Sequence, residues 1–288
     1  MIPLNLLQSR SPGTHKGDAG HVFVVAGSEG LTGAATLCSL GAIRTGAGLV
    51  TLGVPESLHD IMEVKLTEVM TKPLPETKAR SFSLQALPKL VQIIETMDAV
   101  AIGPGLSQNP QTKQLVHQLL PRVTKPCVLD ADGLNALAED LKVLTRVPTP
   151  MVLTPHPGEM ARLIKLSAQD VQRDRERIAK EFATRYGMIV ALKGYQSVVA
   201  NVDGELYVND TGNPGMASGG FGDVLTGMIA ALLGQHLNLF DAARLGVYLH
   251  GLAGDLAAAE HGQVGLIASD LLDTIPLAIR NYQQRGTS

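Results

Sequence analysis

The 288-residue chain predicts an α/β domain built on a mainly parallel sheet with helices on both faces and a small antiparallel edge. Two observations carry this. Short β-branched runs alternate with helical stretches from His21 to Leu192, the rhythm of parallel strands joined by crossover helices. Three short strands then crowd between Met188 and Val208, with a turn at Asn201-Val-Asp-Gly204 that marks a hairpin on the sheet edge.

His21–Ala26 reads as the first strand. A helix follows from Gly33 to Thr45, stopped by Gly46-Ala-Gly48, and Leu49–Val54 is the second strand. The stretch from Pro55 to Ser83 is ambiguous, with Leu66–Met70 as a candidate strand. Leu84–Glu95 is helical, Asp98–Ile102 is a strand ending at Gly103-Pro-Gly105, and Pro110–Leu120 is a helix with proline at a tolerated early position. Cys127–Asp130 and Met151–Leu153 are strands, followed by helices over 159–165 and 168–186. Strands at 188–192, 197–200 and 205–208 complete the sheet. Helices over 218–233, 239–260 and 268–284 close the chain, and no repeat or long linker interrupts this single domain over 1–288.

Hydrophobic residues make up 45% and aromatics only 3%, with no Trp, so the core is aliphatic. A net charge of -3 with no basic stripe argues against nucleic acid. No apolar run has the roughly 20 residues a membrane crossing needs, and the first residues lack a signal-peptide pattern. Cys38 and Cys127, far apart and outside any C-x-x-C, read as buried reduced thiols. The predicted location is the cytoplasm.

In an open α/β sheet, ligands bind beyond the carboxyl ends of the strands. Those ends carry Gly27 and Gly30, Gly103-Pro-Gly105, Asp130 and Asp132, His156 and Glu159, and Lys193-Gly194. The sharpest signal is Asn213-Pro-Gly-Met-Ala-Ser-Gly-Gly-Phe-Gly-Asp223. Its glycines precede a helical pattern (Val224 with Met228, Leu225 with Ile229 and Leu232), so they open a helix whose free N–H groups and dipole favour an anion. Asp223 sets a carboxylate beside that point, the pairing that phosphoryl transfer requires: amides for the transferring group and a base for the attacking hydroxyl. A turn without a ligand would need fewer glycines, because each costs backbone entropy. The chain contains no P-loop, no dinucleotide fingerprint after Gly103-Pro-Gly105, no G-x-S-x-G elbow and no H-E-x-x-H.

The segment Asn213–Gly227 resembles the signature of the ADP/ATP-dependent NAD(P)H-hydrate dehydratases of the ribokinase-like superfamily. His15-Lys-Gly17, Gly33-Ala-Ala to Val50, Gly103-Pro-Gly-Leu106, Asp130–Asn135, Thr154-Pro-His-Pro-Gly-Glu159, Lys193-Gly194 and His250-Gly-Leu-Ala-Gly-Asp255 agree in order. The resemblance implies a three-layer ribokinase-like fold and a repair reaction. Hydrated NADH or NADPH is phosphorylated on its ring hydroxyl at the expense of ADP or ATP, and phosphate then leaves. It further implies Asp223 as the base and Gly219, Gly220 and Gly222 as the anion cradle. Lys193, Gly194, Tyr195, Gln196 and Ser197 would lie against the nucleotide. Ala42, Gly105, His156 and Asp223 would contact the substrate, and Mg2+ would accompany the nucleotide, with Glu159 a candidate ligand. A homo-oligomer, commonly a tetramer, is implied as well. The larger relatives' epimerase domain is expected to be a separate protein here.

Each assignment has a structural rival. His156 between two prolines could serve only as a hydrogen-bonding support, Asp130 and Asp132 as helix caps, and Glu159 as a helix starter. His250 could be a packing histidine, Ala42 a close-packing residue, and Lys193 a solvated strand end. Two residues depart from the family pattern: Phe221, where relatives often carry Ser or Thr, and Ser107, where Gly is common and where Ser tightens the loop. Two other functions share the same centre, a vitamin or sugar kinase of the superfamily and a nucleotide-binding regulator without activity.

Overall fold

The computed structural model describes residues 2–7 and 9–285. Nine strands form one sheet in the order β3-β2-β1-β4-β5-β6-β7-β8-β9. They are β1 His21–Val25, β2 Leu49–Pro55, β3 Met70–Leu74, β4 Ala99–Ile102, β5 Cys127–Leu129, β6 Val152–Leu153, β7 Ile189–Leu192, β8 Val198–Ala200 and β9 Leu206–Val208. Every pairing from β3 through β7 is parallel, and β8 and β9 pair antiparallel, as expected for the edge.

Successive side chains of a strand point to opposite faces, and β1 shows what that does here. Val22 and Val24 enter one aliphatic layer, Phe23 and Val25 the other. The first layer is covered by α1 Thr32–Arg44, α2 His59–Lys65, α9 Phe221–Gly234, α10 Leu239–His261 and α11 Ala268–Arg285. The second is covered by α3 Leu87–Glu95, α4 Pro110–Leu119, α5 Ala131–Leu137, α6 Pro157–Ile164, α7 Ala168–Arg173 and α8 Arg175–Tyr186. The result is three layers, helix–sheet–helix. Cys38 and Cys127 are both buried and free, and no described helix is long and apolar enough to cross a membrane.

Three boundaries differ from expectation. The candidate strand Leu66–Met70 is displaced: β3 begins at Met70, because α2 runs to Lys65 and the chain then needs Leu66–Val69 to reach the open edge of β2. Pro73 is tolerated in β3 because that strand lies at an edge. The single helix expected over 168–186 is two, broken at Asp174 (φ -147°, ψ 57°), a short polar residue whose side chain bonds Arg177 locally instead of supporting a continuous helix. The last long bundle starts later than 218, because Gly220 at φ 98° lies outside the helical region and becomes the cap of α9.

The tightest packing joins α1 to α9. A methyl group added at Gly227 would lie 1.9 Å from the Cys38 carbonyl oxygen and 2.9 Å from the Ala42 nitrogen, and one at Gly41 would lie 2.7 Å from the Val224 carbonyl oxygen. Both near neighbours are backbone, so neither can rotate away. Gly227→Ala is therefore expected to lower stability by at least about 3 kcal/mol, the upper end for overpacking a core. Urea denaturation would measure this, and a loss below about 1 kcal/mol would show that the two helices can separate freely.

Candidate active site

The strand order reverses at β1, which has β2 on one side and β4 on the other. The crevice beyond their carboxyl ends is where an open α/β sheet accepts ligands. Gly27 N–H donates to the Pro104 carbonyl (2.9 Å) and Ser28 Oγ to the Gly105 carbonyl (2.8 Å), tying the turns after β1 and β4 together. Gly105 adopts φ 64°, and a Cβ there would lie 2.9 Å from both Cβ and O of Leu31, so only glycine lets this turn approach the start of α1. Ser107 sits at φ 74°, a left-handed conformation costly for a residue with a Cβ. Asp132 holds it there, its Oδ2 accepting the Ser107 N–H at 2.8 Å and its other oxygen accepting from Gln108 and Asn135. The departure from glycine is thus offset by hydrogen bonds. Asp132 serves as a brace for the Gly103–Gln108 turn.

Asp130 is positioned to cap α5, yet its side chain makes no capping bond. It is almost fully buried and instead accepts from Lys193 Nζ at 2.6 Å and from Thr226 Oγ1 at 2.7 Å. It therefore joins β5, β7 and α9. The rival reading of Lys193 as a solvated strand end fails for the same reason. Its ammonium lies between Asp130 and Glu159 (3.8 Å) and below Gly222, where an added Cβ would come within 3.3 Å of Nζ. Burial pulls the Lys193 pKa down, but Asp130 and Glu159 outweigh it and hold the group charged.

His156 and Glu159 form a reciprocal cap on α6: the Gly158 and Glu159 amides donate to His156 Nδ1 (3.0 and 3.4 Å), and His156 N–H donates to Glu159 Oε2 (2.7 Å). Both structural rivals are thus realised. His156 Nε2 nonetheless remains near Glu159 Oε1 at 3.4 Å with the ring half-exposed toward a cavity. Burial raises the Glu159 pKa to about 7, with Lys193 opposing the rise.

No side chain caps α9, so the amides of its first turn are free for a ligand. Gly220 is needed at φ 98°, where a Cβ would also strike Leu37 and Ala268, while a Cβ at Gly219 would meet nothing. Asp223 lies in this turn. Burial raises its pKa to about 7, Asp130 and Asp132 push it further up, and Lys193 restrains it. A carboxylate poised near neutrality is suited to general-base work.

A cavity of about 630 Å3 opens beside that turn, within the size range of small-molecule sites. Its walls are Lys193–Ser197 on one side and Asn209–Asn213 with Ser218, Phe221 and Gly222 on the other, with Val247, His250 and Gly251 from α10 behind. Asp223, Gly219, Gly220, Gly105 and Ala42 do not line it. Ala42 is fully buried where α1 meets α9. The expected residues thus divide into the cavity wall, which includes His156, Lys193–Ser197 and Gly222, the uncapped first turn of α9, which holds Asp223, and the turn at Gly105.

Contacts that the sequence did not assign hold the turn in place. Asp255 accepts the Gly212 N–H (2.9 Å) and an Asn213 Nδ2 hydrogen bond (3.0 Å). Asn213 Nδ2 also reaches the Gly254 carbonyl, and Thr211 Oγ1 donates to the Tyr248 carbonyl. His250 Nε2 lies 2.9 Å from the Phe221 carbonyl, and burial lowers its pKa to about 4, so the ring is neutral and donates. Phe221, one of the two departures from the family pattern, contributes this carbonyl and a buried ring. The visible signal was the run His250-Gly-Leu-Ala-Gly-Asp255: Gly251 and Gly254 admit Thr211 and Met216, and the two polar ends make the bonds.

The sheet order and the helix–sheet–helix layering define a fold of the ribokinase-like class. A ribokinase-like superfamily protein from Enterococcus faecalis superposes with a TM-score of 0.83, covering 98% of this chain and 96% of that one at 24% identity. Within that class, the chain belongs to the NAD(P)H-hydrate dehydratase family, which matches residues 22–277. The ADP/ATP-dependent NAD(P)H-hydrate dehydratase of Bacillus subtilis, crystallised with ATP and Mg2+, has a TM-score of 0.81 and is 35% identical over 96% of this chain and 94% of its own. The bifunctional NAD(P)H-hydrate repair enzyme Nnr of Moorella thermoacetica is 52% identical over 278 residues, which are 96% of this chain and 52% of the relative. The chain therefore spans about half the length of the curated relatives it matches.

Proposed function

We propose that the protein dehydrates hydrated NADH or NADPH at the expense of ADP or ATP. The observation that carries this reading is Asp223: a carboxylate with its pKa near 7, set in the uncapped first turn of α9, whose Phe221 and Gly222 line the cavity. The nucleotide would lie along Lys193, Gly194, Tyr195, Gln196 and Ser197. Its terminal phosphate would be held by the amides at Gly219, Gly220 and Gly222 with the Lys193 charge close by. The hydrated nicotinamide would lie at Gly105 and at His156, whose ring lines the same cavity as Lys193–Ser197. Ala42, being buried, would act only by letting α1 approach α9.

Asp223 would take the proton of the ring hydroxyl as its oxygen attacks the terminal phosphorus and the bond to the nucleotide breaks. Phosphate would then leave with the ring C–O bond while an adjacent ring proton is lost, restoring the dihydropyridine. Phosphate is a far better leaving group than hydroxide, which is the reason for the detour. Mg2+, when bound with the nucleotide, would neutralise phosphate charge. It binds largely through phosphates and water, which fits a site where Glu159 already spends its oxygens on His156. A cytoplasmic homo-oligomer, with the tetramer as the preferred form, completes the proposal. The test is whether inorganic phosphate and restored cofactor appear in equal amounts. A stable phosphorylated product would instead indicate a small-molecule kinase.

A further inference from the structure

The wall formed by Lys193–Ser197 is an unusual piece of chain. Gly194 lies at φ 140° and Gln196 at φ 53°. The Tyr195 side chain is 84% exposed, so no aromatic anchor packs the turn down. What holds it is Arg175, the first residue of α8. Its Nη2 donates to the Leu192 carbonyl at 2.8 Å and its Nη1 to the Tyr195 carbonyl, bracketing Lys193 and Gly194 between two bonds. The guanidinium lies against the bare Gly194, where a Cβ would sit 3.1 Å from Nη2.

Helix stability does not explain this placement. A cation in the first turn opposes the helix dipole, and the buried Nε has no partner. Asp174 and Glu181 pair with Arg177 instead. Arg175 does not line the cavity; it stands behind the wall.

We infer that Arg175 is a positioning residue for nucleotide binding: by clamping the Leu192 and Tyr195 carbonyls, it fixes the turn against which the nucleotide lies. The inference rests on the reading that the cavity takes a nucleotide. A rigid fork that satisfies two carbonyls at once is a property of arginine that lysine lacks.

The experiment uses the full chain and its Arg175→Ala and Arg175→Lys variants, titrated with Mg·ADP and Mg·ATP by calorimetry and followed in steady state. Arg175→Ala should raise the nucleotide Kd and KM by about tenfold or more, the equivalent of one well-made hydrogen bond to a charged donor. Its kcat should stay within about threefold of wild type and its KM for the hydrated cofactor should not change. Arg175→Lys, keeping the charge but reaching one carbonyl, should fall between the two, and it carries the test if the alanine variant does not fold. Unchanged nucleotide affinity overturns the role. So does full wild-type affinity in Arg175→Lys, which would make charge alone sufficient, or a parallel loss in kcat and in both KM values, which would reflect the fold as a whole. No nucleotide binding by the wild-type protein would overturn the nucleotide reading itself, a separate failure visible before any variant is compared.

Discussion

Replacing Asp223 with asparagine should reduce kcat by about two to four orders of magnitude, the span expected when a positioned general base is lost, while nucleotide affinity changes little. Asparagine preserves the shape and the first turn of α9 but cannot accept the proton. The wild-type pH profile supplies the complementary evidence. Burial raises the Asp223 pKa to about 7, so the active, ionised form is lost as pH falls. Activity should climb through an acidic limb centred near pH 7, and this limb should vanish in the residual activity of the variant. The linkage to stability has the opposite sense. An acid whose folded pKa lies above its unfolded value contributes stability that is complete below the unfolded pKa and lost as pH rises through the folded one. Above pH 7 the charged Asp223 is therefore a burden on the fold, and Asp223→Asn should be at least as resistant to urea as wild type at pH 8. Near-normal turnover in a folded variant would refute the assigned role.

The second large effect is expected at Lys193. Its ammonium is 2.6 Å from Asp130, and the two side chains are 17% and 1% exposed. Removing one member of such a pair strands the other charge away from water, at a cost of about 3–5 kcal/mol. Lys193→Ala should show a loss of this order in urea denaturation. Adding Asp130→Asn to the same chain should recover part of it, since the stranded charge is then gone and the two changes couple. A single variant within about 1 kcal/mol of wild type would mean that water reaches Asp130 freely. The catalytic consequence has a definite sign. Lys193 holds the Asp223 pKa down, so its loss should move the acidic limb of any remaining activity to higher pH.

The legible and illegible parts of this protein separate by range. Eight of the nine strands follow from local patterns of β-branched residues, and glycine density placed the start of α9 within three residues of Phe221, so most of the sheet could be read directly. The displaced β3 could not, because Met70–Leu74 alternates too weakly and owes its strand to the open edge of β2. The same holds within the site. Asp130 and Asp132 read alike as acids at the start of one helix. Only the fold divides them, giving Asp130 to Lys193 and Thr226 from 63 and 96 residues away and Asp132 to the Ser107 turn. Nothing in the local sequence marks Thr226 or Arg175. Each is defined by a partner that no local pattern announces. Ser107 shows the converse: the sequence revealed an unusual residue, and the left-handed backbone braced by Asp132 supplied the reason.

The most direct measurement is restoration of the cofactor. Hydrated NADH or NADPH is mixed with the purified protein, Mg2+ and either ADP or ATP, and the dihydronicotinamide absorbance is followed. The absorbance should return only when nucleotide is present, with one inorganic phosphate released for each cofactor restored, and Asp223→Asn should slow the return by about two to four orders of magnitude. No recovery with either nucleotide, from folded protein that binds it, would contradict the proposed reaction.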